Sequence, residues 1–197
     1  MMKREIFEYG NFYHIYNRGN NKQDIFFEDK NYKYFLDLLS RHLLQVSDIY
    51  CFCLLKNHFH LIVRIKDETD INEKYHDKIH QPFSNMFNAY TKSINKTYDR
   101  SGSLFQEHLK RIKIENESYF MNLILYIHLN PVKHQISDDF KNYPYSSFMI
   151  YISSKPTRLI RDYGLDLFGG KENFIFQHHE SKIVYEGILK EIDDNDY

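Results

Sequence analysis

Hydrophobic positions recur along this chain with two different periods. NFYHIYNR (11–18) packs aromatic and β-branched residues at close spacing and predicts a strand, closed by a turn at Gly19 and the two asparagines after it. From Asp29 the period lengthens. Tyr32, Phe35, Leu36, Leu39 and Leu43 recur near every 3.6 residues and predict a helix, with Asp29 as its cap. DIYCFCLL (48–55) and HFHLIVRI (58–65) predict two further strands joined by the two-residue turn Lys56–Asn57. KDETDINEKYHDKIH (66–80) is polar and reads as a surface loop. A second helix is expected from Gln81 to Tyr98, with Phe83, Phe87, Tyr90 and Ile94 on one face, and RSG (100–102) breaks it. SLFQEHLKRIKI (103–114) reads as a fourth strand. A last core helix starts near Asn116 or Ser118 and should end at Asn130, because a proline at 131 disfavours a helical residue before it.

The order β-α-β-β-α-β-α predicts an α+β fold: a ferredoxin-like antiparallel sheet with helices packed on one face and an extra helix at its C-terminal side. Beyond Ser146, YSSFMIYI predicts a short helix, and the segment from Ser153 to Tyr197 reads as an appended tail. The expected organisation is therefore one domain over 1–150 and a partly helical tail over 151–197. No internal repeat is visible.

Composition narrows the class. Of 197 residues, 42% are hydrophobic and 17% aromatic, enough for a real core; 17 tyrosines and 16 phenylalanines stand beside no tryptophan. Two cysteines exclude a disulfide-built scaffold. MMKREIFEYGNFYH has no apolar signal-peptide core, and no apolar run approaches the roughly 20 residues that span a bilayer, so a soluble cytoplasmic protein is expected. The net charge of −1 conceals an asymmetry. From Leu165 onward there are three lysines and eight acids, while residues 1–164 carry 23 basic and 19 acidic side chains. Lys92 to Ile114 concentrates the excess, with six basic residues against two acidic. Such a surface can meet a phosphate backbone or simply be solvated.

The candidate chemistry sits in LLKNHFHLIV (54–63). Along a strand, residues two apart share a face, so His58, His60, Ile62 and Arg64 lie on one side and Phe59, Leu61, Val63 and Ile65 on the other. Two imidazoles about 6–7 Å apart along a strand can converge on one cation; they can equally be two solvent-facing histidines. Cys51 and Cys53 could join them in a zinc site, but C-x-C on a flat strand wraps an ion poorly, and small core residues are the alternative. In SYFMNLILYIHLN (118–130), Phe120, Leu123, Ile124 and Ile127 form a core stripe. Tyr126 and Asn130, four apart, stack on a neighbouring face, while His128 points about 200° away from Tyr126.

Five motifs in order, YHIYNRGN (13–20), CFCLLKNHFHLIV (51–63), RSGSLFQEHLKRI (100–112), LYIHLNPVKH (125–134) and YPYSSF (143–148), resemble the HUH single-tyrosine transposases, specifically their REP-associated tyrosine transposase branch. The resemblance runs from about Tyr13 to LFGG at 167–170. It implies that His58 and His60 are the HUH pair with Phe59 between them, that Tyr126 on the last core helix is the nucleophile, and that Asn130 is a third metal ligand where relatives can carry glutamine. It also implies a Mg2+ or Mn2+ cofactor, attack of Tyr126 on a DNA phosphate to give a 5′-phosphotyrosine and a free 3′-hydroxyl, and reversal of that step by a second 3′-hydroxyl to join strands. The implied partner is single-stranded DNA with a hairpin, with Asn17, Arg18, Lys110, Arg111 and Lys133 as candidates for holding phosphates and with a monomer or homodimer as the working form. A domesticated protein that binds hairpin DNA without cutting it is the alternative.

Overall fold

In the computed structural model, which describes residues 6–181, all four expected strands form. They are β1 (Phe12–Arg18), β2 (Ser47–Leu55), β3 (His58–Ile65) and β4 (Lys110–Ile114), ordered β2-β3-β1-β4 in one sheet whose neighbours all run antiparallel. With α1 (Asp29–His42) between β1 and β2 and α2 (His80–Thr97) between β3 and β4, this is the expected ferredoxin-like α+β layer. Both helices cover one face. Phe59 of β3 meets Phe35 of α1 at 5.2 Å and Phe87 of α2 at 5.4 Å between ring centres. The expected core face of β3, Phe59, Leu61, Val63 and Ile65, is fully buried.

Some local expectations are corrected or refined. Asp29 does not cap α1 but is its first residue, after Glu28. Glu28 is the cap and forms a reciprocal box with Asn31: the Glu28 side chain accepts from the Asn31 N–H, and Asn31 Oδ1 accepts from the Phe27 and Glu28 N–H groups at 2.9 and 3.1 Å and from the Tyr98 hydroxyl at 3.0 Å. Asn31→Ala should therefore cost about 2 kcal/mol in urea unfolding, whereas Asp29→Ala should change stability by less than about 1 kcal/mol; equal losses would refute the assignment. The fourth strand is only Lys110–Ile114, because His108 adopts a left-handed φ of 70° that interrupts the extended run; upstream, Phe105 makes a lone bridge to Gly19. Gly19 is required there, since a Cβ would lie 1.9 Å from the Gln23 carbonyl oxygen. The polar loop at 66–80 contains two 3-10 turns, Glu68–Asp70 and Glu73–Lys78.

The chain packs as two compact units, one ending at Ile114 and the next beginning at Glu115. The second is helical: α3 (Glu117–Lys133), α4 (Phe148–Ile152), α5 (Arg161–Leu167) and α6 (Lys171–Glu180). Asn116 caps α3, its side chain accepting from the Tyr119 N–H at 2.8 Å. The helix does not stop at Asn130. It runs through Pro131 to Lys133, the proline removing one N–H within the final turn while the His134 N–H still donates to the Asn130 carbonyl at 3.0 Å. Residues 182–197, which include the acidic end of the expected tail, lie outside the described residues. Among the described residues, no helix is long and apolar enough to cross a membrane.

Candidate functional site

The two central strands set out the histidine face of the first unit. In register, Arg18 lies opposite His58, Tyr16 opposite His60 and His14 opposite Ile62; on the other edge of β1, Lys110 lies opposite Tyr16. Directly paired residues point to the same side of a sheet, so His14, Tyr16, Arg18 and Lys110 share the face of His58 and His60. The rings form a layer: His14 stacks on Tyr16 at 4.7 Å, lies 5.2 Å from His60, and His58 meets His60 edge-on at 5.2 Å. Lys110 Nζ sits 5.6 Å from the centre of the Tyr16 ring.

The Nδ1 atoms of both His58 and His60 are engaged by the chain itself. His58 Nδ1 lies 2.7 Å from Asn57 Oδ1, and His60 Nδ1 lies 3.0 Å from His14 Nε2. His14 is fully buried, and burial lowers its pKa to about 3, so it is neutral at physiological pH. Cys51 and Cys53 are buried, reduced core residues of β2, and burial together with its neighbour Cys51 pushes the Cys53 thiol well up. Among the described residues, no group of three or more histidine, cysteine, aspartate or glutamate side chains is placed to hold a metal. The cysteine–histidine zinc arrangement is therefore absent there, and a cation at His58 and His60 needs a donor of another kind.

Two of the residues expected to hold DNA lie on the opposite face from the histidine pair. Asn17 and Arg111 project to the helix-covered side. Asn17 Oδ1 accepts from the Arg18 N–H at 2.7 Å and its Nδ2 donates to the Gln106 carbonyl at 3.3 Å. The Arg111 guanidinium lies 4.3 Å from the Phe7 ring centre, at the wall of a cavity of about 530 Å³ also lined by Phe83, Phe87 and His108.

In the second unit, α3 is buried on every side from Leu123 to Pro131. Tyr126 is only 2% exposed, and Lys133, seven residues on, places Nζ 5.1 Å from its ring centre. Asn130, one turn after Tyr126, has Nδ2 3.4 Å from the Tyr126 carbonyl; its Oδ1 is buried with no hydrogen-bond partner among the described residues. His128 does point away from that pair. Its Nε2 accepts from the Ser147 hydroxyl at 2.7 Å and its Nδ1 lies 2.9 Å from His178 Nε2, while His178 Nδ1 donates to the Phe174 carbonyl at 2.7 Å. Sequence reasoning missed His14, Asn57 and this Ser147–His128–His178 chain. His14 was accessible, since its alternation with Tyr16 on β1 puts it on the histidine face; the contact of His128 with residues 147 and 178 was not.

No family model matches the chain, and no curated protein matches it. Among solved structures, that of a REP-associated tyrosine transposase bound to a REP hairpin superposes with a TM-score of 0.63 at 16% sequence identity, over 79% of this chain and 88% of the other. The two chains share a fold.

Proposed function

We propose that this chain binds single-stranded DNA carrying a hairpin and nicks and rejoins it as a transposase-like transesterase. What supports the reading is the H-x-H pair on a central strand, sharing its face with Arg18 and Lys110, in a fold shared with a tyrosine transposase bound to a DNA hairpin. The catalytic module is residues 1–150 in this reading, and 151–197 an appendage.

In this reading His58 and His60 would hold a divalent cation, with Asn130 the third ligand that the family resemblance implies. Two imidazoles and one amide oxygen are donors that would suit Mn2+, and less well Mg2+. When bound there, the ion supplies Lewis-acid polarisation of the scissile phosphate. Tyr126 Oη forms the new bond to phosphorus, the phosphorus–O3′ bond breaks, and the phenolic proton ends on the released 3′-hydroxyl. The strand downstream of the break stays on the enzyme through its 5′-phosphate, as a phosphotyrosine. Attack by another 3′-hydroxyl reverses the step, so joining needs no nucleotide cofactor. Arg18, Lys110 and Lys133 hold backbone phosphates in this scheme. Arg111 would contact DNA from the other side of the sheet, and Asn17 acts by shaping the 106–108 turn.

A second reading, hairpin binding without chemistry, draws on one observation: at 2% exposure the Tyr126 phenol must be uncovered before a phosphate can reach it. One experiment separates the two. Oligonucleotides carrying hairpin repeats identified by sequencing the DNA that flanks the gene are incubated with the full chain and Mn2+ and run on a denaturing gel. The proposal expects a covalent protein–DNA band that chelator abolishes. Saturable hairpin binding with no such band would establish the second reading.

A further inference from the structure

A histidine ligates a cation through a ring nitrogen that carries a lone pair, so the proton must sit on the other nitrogen. At His58 that condition is set by its neighbour. Asn57 Oδ1 only accepts, so at 2.7 Å it places the proton on His58 Nδ1 and the lone pair on Nε2. Asn57 is held in place in turn. It belongs to the β2–β3 turn, and its carbonyl accepts from the Gly19 N–H at 2.7 Å.

At His60 the partner is His14, and two arrangements of one hydrogen bond are possible. If His14 Nε2–H donates, His60 Nδ1 accepts and its Nε2 bears the proton. If His60 Nδ1–H donates, His14 Nε2 accepts and His60 Nε2 is left with a lone pair. Only the second makes His60 a ligand. It requires a neutral His14 in its Nδ1–H tautomer, with the lone pair on Nε2 and the ring held in place; His14 is fully buried, seated on central strand β1 and stacked at 23° on Tyr16.

We propose that Asn57 and His14 are positioning residues that hold His58 and His60 in the Nδ1-protonated form, presenting both Nε2 atoms to one divalent cation. This inference rests on the reading of His58 and His60 as cation ligands. It extends that reading by assigning a residue of the β2–β3 turn and a buried histidine of β1 to the site. Such partners fix ring orientation and raise ligand basicity, and removing one typically weakens metal binding by about 10–100-fold.

The test uses the full chain with ¹⁵N-labelled histidine. Long-range ¹H–¹⁵N spectra of the metal-free protein report which nitrogen of each ring is protonated, and calorimetry with Mn2+ reports affinity. Both rings should be Nδ1-protonated in the wild type. Asn57→Ala should release the His58 ring and lower Mn2+ affinity about 10–100-fold, and Asn57→Asp, which restores an acceptor oxygen, should recover it. His14→Phe should do the same at His60, with His14→Gln as the restoring variant. The half-exposed Asn57 pair decides the matter if the His14 variants fail to fold by circular dichroism. An Nε2-protonated His58 in the wild type, or Asn57→Ala with unchanged affinity and unchanged protonation, overturns the proposal. A wild type with both rings Nδ1-protonated but no saturable Mn2+ binding upholds the hydrogen-bond assignment and overturns the cation reading instead.

Discussion

Tyr126→Phe is expected to lower covalent DNA adduct formation by at least about 1,000-fold while leaving hairpin affinity within about twofold. The size of the effect follows from what is removed. The phenolic oxygen is the atom that would bond to phosphorus, and phenylalanine offers no substitute. The specificity follows from where the ring sits. Tyr126 lies in a stretch of α3 buried from Leu123 to Pro131, and phenylalanine fills all of its volume except the hydroxyl. The Lys133 ammonium, 5.1 Å from the ring centre, meets a π face of similar character in the variant. A shift in stability beyond about 1 kcal/mol is not expected, so loss of the adduct would not be a folding effect. Equal adduct yields from wild type and variant would remove Tyr126 as nucleophile. The obvious replacement candidates are few. Tyr16, on the histidine face of β1, is the next tyrosine to replace with phenylalanine, since it stacks on His14 and lies 5.9 Å from His60 between ring centres.

Much of this architecture was legible because local signals agreed with each other. The β2–β3 hairpin was set by two runs of β-formers around Lys56–Asn57, and the core face of β3 by simple alternation. The helices α1 and α2 followed from a 3.6-residue period. Errors arose where a local rule competed with packing. Pro131 should have ended α3, but a proline in a last turn forfeits only one backbone bond, and here Asn130 and Pro131 are buried and the helix continues to Lys133. The run 103–114 looked uniformly extended, yet His108 takes a left-handed conformation that no alternation pattern reveals. Within the site, strand alternation placed the histidine pair on one face, and helix periodicity placed Asn130 one turn from Tyr126. The partners of the histidines depend on strand register, which pairs β1 with β3 across more than forty residues of sequence. Register is a tertiary fact: β1 had first to be known as the neighbour of β3 before His14 could be placed beside His60.

The buried histidine chain of the second unit leads to an expected acid instability. Ser147, His128 and His178 are all fully buried, and their bonds run one way: Ser147 donates to His128 Nε2, His128 Nδ1–H donates to His178 Nε2, and His178 Nδ1–H donates to the Phe174 carbonyl. That arrangement needs both imidazoles neutral. Burial lowers the His178 pKa to about 4, with the nearby His179 acting in the same direction and the Phe174 carbonyl opposing, and burial with His178 beside it pushes His128 well below its ordinary range. The unfolded chain protonates these rings near pH 6.5, so below that pH it binds more protons than the folded chain and is favoured. The penalty is absent above about pH 6.5. It grows by about 1.4 kcal/mol per pH unit for His178, reaching roughly 3 kcal/mol by pH 4, where the folded ring begins to titrate. His178→Gln supplies a side-chain carbonyl that can accept from His128 but cannot take up a proton. At pH 7 the variant should be less stable than the wild type, since it loses ring packing against Phe174 and Phe148. Between pH 7 and pH 4 the stability gap should close by roughly 3 kcal/mol, because the His178 part of the protonation penalty falls on the wild type alone while the His128 part is common to both. Urea unfolding followed by far-ultraviolet circular dichroism, suited to a chain without tryptophan, measures both. A gap that stays constant across this range would mean that His178 is not held neutral by its surroundings, and the one-way chain of hydrogen bonds would have to be redrawn.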